Sequence, residues 1–354
     1  MINVLVVEDS RVTRDYLVYT IETDPEMRAI GAADSGEAAL EFLGRRRPDV
    51  ILMDIHLPGI DGFETTRRIM SSAPVPIVVC TASMSFNEVH TAMHALEAGA
   101  LAVLEKPRGF GDPGNGAEAA MINTLKLMSE VKVVRRWNRT AVAAGAVAEP
   151  MPRDPLGHEA AIVAIGASTG GPPVLSRILS GLSPAFAAPI LVVQHISAGF
   201  IAGFAEWLAM TSGLPVHLAQ GGEIPLPGHV YVAPDDQHLR VGPRGELQTT
   251  GDEPHNGHRP SVGALFRSVA GRFGRRAIGV LLTGMGRDGA EELKLMADQG
   301  ALTVAQDEES CVVFGMPAAA IRLGAARFVL SPHGIAEFLT TAVRRGVNKV
   351  GIDG

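Results

Sequence analysis

Two groups of side chains in this chain have types and spacing that could do chemistry. In the second half, Ser168 lies in GASTGGPP, His195 follows the apolar run ILVVQ, and Asp288 lies in IGVLLTGMGRDGA. Serine, histidine and carboxylate are the parts of a nucleophile, base and orienting-acid relay, which is recognised by geometry and role rather than by chain order. In the first half, Glu8 and Asp9 follow VLVV, Asp54 follows VILM, Thr81 ends a run of IVVC, and Lys106 follows LAVLE. Converging acids repel one another unless a hard divalent cation is present, and Mg²⁺ held by carboxylates and phosphate oxygens is the usual solution. A hydroxyl and a lysine beside them suit the stabilisation of an incoming phosphoryl group. Taken singly, Asp9 and Asp288 serve equally as helix caps, Ser168 as a phosphate binder, and His195 as a hydrogen-bonded core histidine. Their joint occurrence favours chemistry.

Such residues work only if the fold brings them together. Up to about Leu127, apolar runs at residues 3–7, 49–53, 76–80 and 101–104, with a weaker one at 28–32, alternate with segments of helical period such as 87–97. That rhythm predicts a flavodoxin-like, five-stranded parallel sheet with helices on both faces, and sites at the carboxyl ends of its strands. Lys106 precedes Pro107, and such a bond is a candidate for the cis form. Residues 128–157 carry Ala, Gly, Pro and charge without a sustained period and read as a linker whose first part continues a helix. Within it, RRWNR reads as a solvated linker face rather than a docking patch. From Ala160 the rhythm returns, with apolar runs at 162–165, 190–194, 230–233, 278–282 and 302–305. A second, doubly wound α/β domain with a mainly parallel sheet is expected. The domains are thus 1–127, a linker at 128–157, and 158–346.

In the second domain Ser168 falls on a strand-to-helix turn, where glycines permit close backbone approach and prolines suit a helix start. Its hydroxyl then stands near the free N–H groups of a helix N-terminus, the logic of a nucleophile elbow without the usual spelling. The rival is a dinucleotide phosphate loop. Pro172 breaks one common glycine spacing for it, and the next strand closes on Gln194 and His195 rather than on an acid. His255 and His258, in NGHRPSV, read as loop residues, and without partners at metal spacing no zinc is assigned.

The formal net charge of −7 argues against nucleic acid as the main partner. Cys80 and Cys311 read as buried, reduced thiols. No export signal opens the chain and no run approaches the roughly 18 apolar residues of a membrane span, so a cytoplasmic protein without membrane insertion is expected.

With VEDS, LMDIHLPGIDG, VCTAS and LEKP in this order, the first 125 residues or so resemble the receiver domain of bacterial response regulators. The resemblance implies that Asp54 takes a phosphoryl group from a histidine kinase, with Glu8 and Asp9 near Mg²⁺, Thr81 as switch hydroxyl and Lys106 as the phosphate-pairing cation. Val103 stands where many receivers have an aromatic switch residue. GASTGGP, VVQHI, VYVAP, HRPSV, LTGMGRDGA and AQDEESCVVFGMP resemble the catalytic domain of the chemotaxis protein-glutamate methylesterases, from about Ile162 to Leu330. This implies Ser168 as nucleophile, His195 as general base and acid, Asp288 as orienting carboxylate, and Thr169 and Met285 near the oxyanion. The implied substrate is a glutamyl methyl ester on methyl-accepting chemoreceptors, with receptor glutamine deamidation as a related activity and no cofactor for the esterase. Ile196 and Ser197 replace the family's usual methionine and proline-containing turn. The alternative is a receiver controlling a non-catalytic or nucleotide-binding output module.

Overall fold

The computed structural model describes residues 1–81, 86–107, 116–131, 133 and 160–343. The RRWNR patch and most of the expected linker lie outside these residues. The chain divides into two compact units, Met1–Ala146 and Val147–Gly354.

In the first unit, β1 (Ile2–Val7), α1 (Arg11–Glu22), β2 (Met27–Ala33), α2 (Gly36–Leu43), β3 (Val50–Asp54), α3 (Gly62–Ser72), β4 (Ile77–Thr81), α4 (Phe86–Ala98), β5 (Ala102–Glu105) and α5 (Ala117–Ser129) alternate. The strands form one parallel sheet in the order β2-β1-β3-β4-β5. All residues of β3 and β4 are buried, as strands covered on both faces require, which is why they read as unbroken apolar runs. Strand β2 is an edge whose middle residues are partly exposed, and its apolar signal is correspondingly weak. Ser10, Ser35 and Asp61 cap α1, α2 and α3 by accepting a backbone N–H of the first turn, so the helices start where the strand-end loops close. The cis peptide found among the described residues is Arg259–Pro260, so the expectation of a cis bond at Lys106–Pro107 is not met.

The second unit runs β6 (Ile162–Ala167), α6 (Gly171–Ser180), β7 (Ile190–Gln194), α7 (Ile201–Ser212), β8 (Val216–Leu218), β9 (Val230–Val232), β10 (His238–Val241), β11 (Leu247–Thr250), α8 (Val262–Phe273), β12 (Ala277–Leu281), α9 (Ala290–Asp298), β13 (Leu302–Gln306), α10 (Met316–Arg322), β14 (Phe328–Leu330) and α11 (Pro332–Ala342). Seven of these strands pair in parallel, in the order β14-β13-β12-β6-β7-β9-β8. Strand β6 lies between β12 and β7. The chain builds outward from β6 in both directions, and a crevice at such a reversal is where open α/β sheets place ligands. Strands β10 and β11 leave the sheet and form an antiparallel hairpin, tied to α8 by Val241 N donating to Ser268 Oγ at 3.0 Å. The core on this side joins Leu265, Phe266 and Val269 of α8 to Leu281 of β12 and Leu293 and Met296 of α9.

Cys80 is buried in β4, as expected; Cys311 is only half-buried, because it lies in the loop after β13, and both are free thiols. Among the described residues no helix is long and apolar enough to cross a membrane.

Gly166 sets how closely α8 approaches the sheet. A Cβ there would fall 2.2 Å from Val262 Cγ1, at the first residue of α8. Gly166→Ala is expected to lower the stability of the second unit by about 1–3 kcal/mol through overpacking. A urea midpoint unchanged from the native chain would show instead that Val262 yields freely.

Candidate active site and phosphoacceptor pocket

Three strand-end turns of the second unit meet at the crevice beside β6. The turn after β6 carries Ser168. It is shaped by Gly170, whose φ of 77° lies in the left-handed region that a side chain disfavours. Ser168 N donates to Thr283 O at 3.0 Å, and Gly171 N donates to Ser168 O at 2.8 Å. Pro172 and Pro173 then occupy the first turn of α6. The turn after β7 carries His195, whose N–H donates to Ala167 O at 2.9 Å. Ala167 and Gln194 are paired in register. Ser168 and His195 therefore follow neighbouring strands, which lie about 4.8 Å apart in a sheet.

Gln194 and Thr283 tie these turns together. The buried Gln194 amide donates to both Ser168 O and His195 O, each at 2.8 Å. Thr283 Oγ1 lies 3.0 Å from Thr169 O and accepts from Val312 N and Val313 N at 3.1 and 3.0 Å. Gly284 brings the β12 loop against the serine: a Cβ there would fall 2.6 Å from Ser168 Cβ and 2.4 Å from Met316 Sδ. Thr169 and Met285 are half-buried on the two turns that face each other across Gly284.

Asp288, on the loop between β12 and α9, is 3% exposed. Its Oδ2 lies 3.1 Å from His195 Nε2. The other side of the carboxylate is held by the N-terminus of α8: Val262 N donates to Oδ2 at 2.7 Å, and Ser261 Oγ and Gly263 N donate to Oδ1 at 2.8 and 3.2 Å. A helix N-terminus favours an anion through both its N–H groups and its dipole. Burial alone would raise the Asp288 pKa, but His195, Ser261 and Val262 outweigh it and bring it down to about 2. The Ser168 hydroxyl makes no hydrogen bond to His195 among the described residues, so the structure joins His195 to Asp288 directly and leaves Ser168 as their neighbour.

Several residues here were not singled out as functional by sequence. Ser261 was signalled only as a serine before an apolar run, a helix-start pattern. His258, read as a loop residue, stacks on His195 with ring centroids 4.2 Å apart and planes 10° from parallel. Although its outer edge is exposed, desolvation against the protein and then the nearby His195 lower the His258 pKa, against the opposing pull of Asp288.

In the first unit the expected residues do converge. Glu8 and Asp54 are buried, Asp9 is exposed, and an oxygen from each lies within 4.8 Å of the others. Lys106 Nζ lies 2.7 Å from Glu8 Oε2 and 2.8 Å from Asp54 Oδ2. Burial opposes the Lys106 cation, but Asp54 and Glu8 outweigh it and raise its pKa; Cys80, kept protonated by complete burial, has no charge to add. Burial also pushes the Glu8 carboxyl up, with Lys106 opposing and Asp54 adding to it. One lysine among three acids leaves net negative charge, and Asp54 Oδ1 is buried without a partner. This all-oxygen, acid-rich donor set fits a hard divalent cation. Thr81, buried, ends β4 beside the pocket, its carbonyl accepting Lys106 N at 2.9 Å, and Val103 is buried in β5. Arg14 braces the loop after β1 through the carbonyls of Glu8 and Asp9, at 2.6 and 3.1 Å.

The two units thus define a class: a receiver-type phosphoacceptor domain on the same chain as an α/β domain with serine, histidine and aspartate at adjoining strand ends. Family models match both, the response regulator receiver domain over residues 4–112 and the CheB methylesterase over residues 163–339. The chain is 53% identical, over 99% of its length and 100% of the relative's, to a protein-glutamate methylesterase/protein-glutamine glutaminase of Nitrosospira multiformis. A relative of the same name from Syntrophus aciditrophicus is 50% identical over 96% of this chain and 97% of its own. The crystal structure of the Thermotoga maritima CheB methylesterase catalytic domain, 40% identical, covers 51% of this chain and 97% of its own with a TM-score of 0.49. The chain belongs to the CheB methylesterase family, with a response-regulator receiver domain at its N-terminus.

Asp288 links the site to stability. Its folded pKa of about 2 lies below that of an unfolded aspartate, so its stabilising effect is full above about pH 4 and is lost as pH falls through 2. Asp288→Asn is expected to lower the stability of the second unit by about 2 kcal/mol at pH 7. In urea titrations from pH 7 towards pH 2 the gap between variant and native chain should close; a gap independent of pH would show that the carboxylate's charge is not what α8 holds.

Proposed function

We propose that this protein hydrolyses glutamyl methyl esters on methyl-accepting chemoreceptors, under the control of phosphorylation at Asp54. The observation that carries the reading is the buried Asp288, held ionised by His195 and by Ser261 and Val262 at the α8 N-terminus, and in contact with His195, which sits one strand from Ser168.

In this reading Ser168 Oγ attacks the ester carbonyl carbon while His195 takes its proton. The oxyanion forms beside the turns carrying Thr169 and Met285, whose backbone amides are proposed to stabilise it. His195 returns the proton to the departing methoxide, releasing methanol. It then deprotonates a water that attacks the acyl-enzyme carbonyl, and returns that proton to Ser168 Oγ as the acyl C–O bond breaks and the glutamate carboxyl forms. Asp288 keeps the imidazole in one tautomer and offsets its charge when it is protonated. Deamidation of receptor glutamines follows the same path with ammonia as leaving group, and the names of the relatives support it. It demands more of His195 as acid, because the amide is the poorer leaving group.

In the receiver, Asp54 accepts a phosphoryl group from a chemotaxis-type histidine kinase. Mg²⁺ held by Glu8, Asp9 and Asp54 supplies neutralisation of the phosphoryl oxygens when bound. Lys106 pairs with the phosphate, and Thr81 answers it as the switch hydroxyl. The buried Val103 offers no aromatic swing, so the signal passes by another route. Phosphorylation favours the arrangement in which substrate reaches the esterase crevice over the one in which it does not, a population shift. The setting is the cytoplasm, where the kinase and the receptor's methylated helices are found, with no nucleic acid and no membrane insertion.

The test is methanol release from methylated chemoreceptor membranes, with and without a small-molecule phosphodonor. Release is expected to depend on Ser168 and to rise with the phosphodonor; Ser168→Ala should abolish it and leave Asp54 phosphorylation intact, while Asp54→Asn should remove only the rise. Removal of Mg²⁺ by chelation should block phosphorylation without touching basal hydrolysis. Hydrolysis surviving in Ser168→Ala removes Ser168 as nucleophile.

A further inference from the structure

The turn before α8 has features that the hydrolytic reading leaves unused. His255 and His258 exchange both backbone hydrogen bonds, at 3.1 and 3.0 Å, and so close a two-residue hairpin over Asn256 and Gly257. Both central residues have positive φ, 54° and 78°. That is the backbone of a type I′ turn, for which Asn-Gly is the favoured pair.

The hairpin is anchored on both sides. His255 Nε2 lies 3.1 Å from Glu292 Oε1, and Arg267 reaches the same oxygen at 3.0 Å. Glu292 is 2% exposed on α9, and a buried carboxylate is retained only at a cost unless it is paired. Gly263 leaves space for this contact: a Cβ there would fall 2.8 Å from both the His255 ring and Glu292 Oε2. Next to His258, Arg259 donates to Asp236 Oδ1 at 2.7 Å and to the carbonyls of Gly251 and Asp252 at 3.1 and 3.0 Å. The His258 ring itself is stacked on His195.

We propose that the His255–His258 hairpin is a positioning device for His195, in which Glu292 and His255 lock the turn and the His258 ring stacks on the imidazole to fix its plane. A single contact to Asp288 restrains one nitrogen of His195 but leaves the ring free to tilt about it. A second ring lying parallel removes that freedom, since stacked rings favour one relative orientation. The groups facing the His195 ring are then Asp288, His258 and the Ser168 turn, and desolvation and then His195 disfavour a charge on His258. His258 acts through His195 and is a positioning residue, not a catalytic one. The proposal rests on His195 being the base of the hydrolysis.

The experiment compares the full-length native chain, His258→Ala, His258→Phe and Ser168→Ala, each with phosphodonor, for kcat and KM on methylated receptor membranes and for the rate at which a fluorophosphonate labels Ser168. Loss of the platform in His258→Ala is expected to lower kcat and the labelling rate about tenfold with KM little changed, since misorientation of a reacting group acts on the chemical step. His258→Phe restores a flat ring without a titrating nitrogen and should recover most of both rates. Native rates in His258→Ala, or a loss that His258→Phe does not recover, overturn the proposal while leaving the Ser168 reading untouched. If His258→Ala does not fold, the same comparison with His255→Ala decides, a native kcat there overturning the anchor. Hydrolysis surviving in Ser168→Ala would bring down the hydrolytic reading and this proposal with it.

Discussion

One buried anion organises the second unit around its crevice. Asp288 occupies the place where α8 begins, and the Val262 and Gly263 N–H groups that hold it are ones the helix itself would leave unsatisfied. The carboxylate therefore completes a helix and faces a histidine at once. Moving it would cost the fold as well as the site. Gly166, which lets Val262 press against β6, and Gly289, whose Cβ would meet the same valine, show how tightly that helix start is seated.

The first unit solves the opposite electrostatic problem. There, three acids crowd one sheet edge and a single lysine bridges two of them. The charge is left unbalanced by construction, and Asp54 keeps an oxygen with no partner. An acid-rich, all-oxygen set of this kind is what hard cations favour. The two sites thus differ in kind: in one a carboxylate is held by a histidine and a helix start, in the other three acids are offset by a single lysine.

Much of this was legible in the sequence because the informative residues follow long, fully buried strands. β3, β4, β6, β7 and β12 are apolar runs with candidate residues at or after their ends, and within each of the two sheets parallel pairing brings those ends to one edge. The elements that escaped are short or half-exposed: β8 and β14 have three residues each, too few to show a period, and the β10–β11 hairpin lies off the main sheet. Supporting residues escaped for another reason. Gln194, Thr283 and His255 act through backbone carbonyls, amides or a buried carboxylate that are distant in sequence, and no local pattern reveals such partners. His258 stood in a legible loop, but only the fold turns that loop back onto His195. Cys311 read as buried from its small and apolar neighbours, yet its loop leaves it half-exposed.

The Gln194 amide, donating to the carbonyls of both Ser168 and His195, has a consequence for the site as a whole. It staples two turns into a single piece of backbone, and Thr283 fastens the third to them. Separating the serine from the histidine would mean breaking buried amide contacts that nothing replaces, a cost of several kcal/mol. The three turns therefore hold their relative places as one rigid block, and a substitution that loosens any one of them would be felt by the other two.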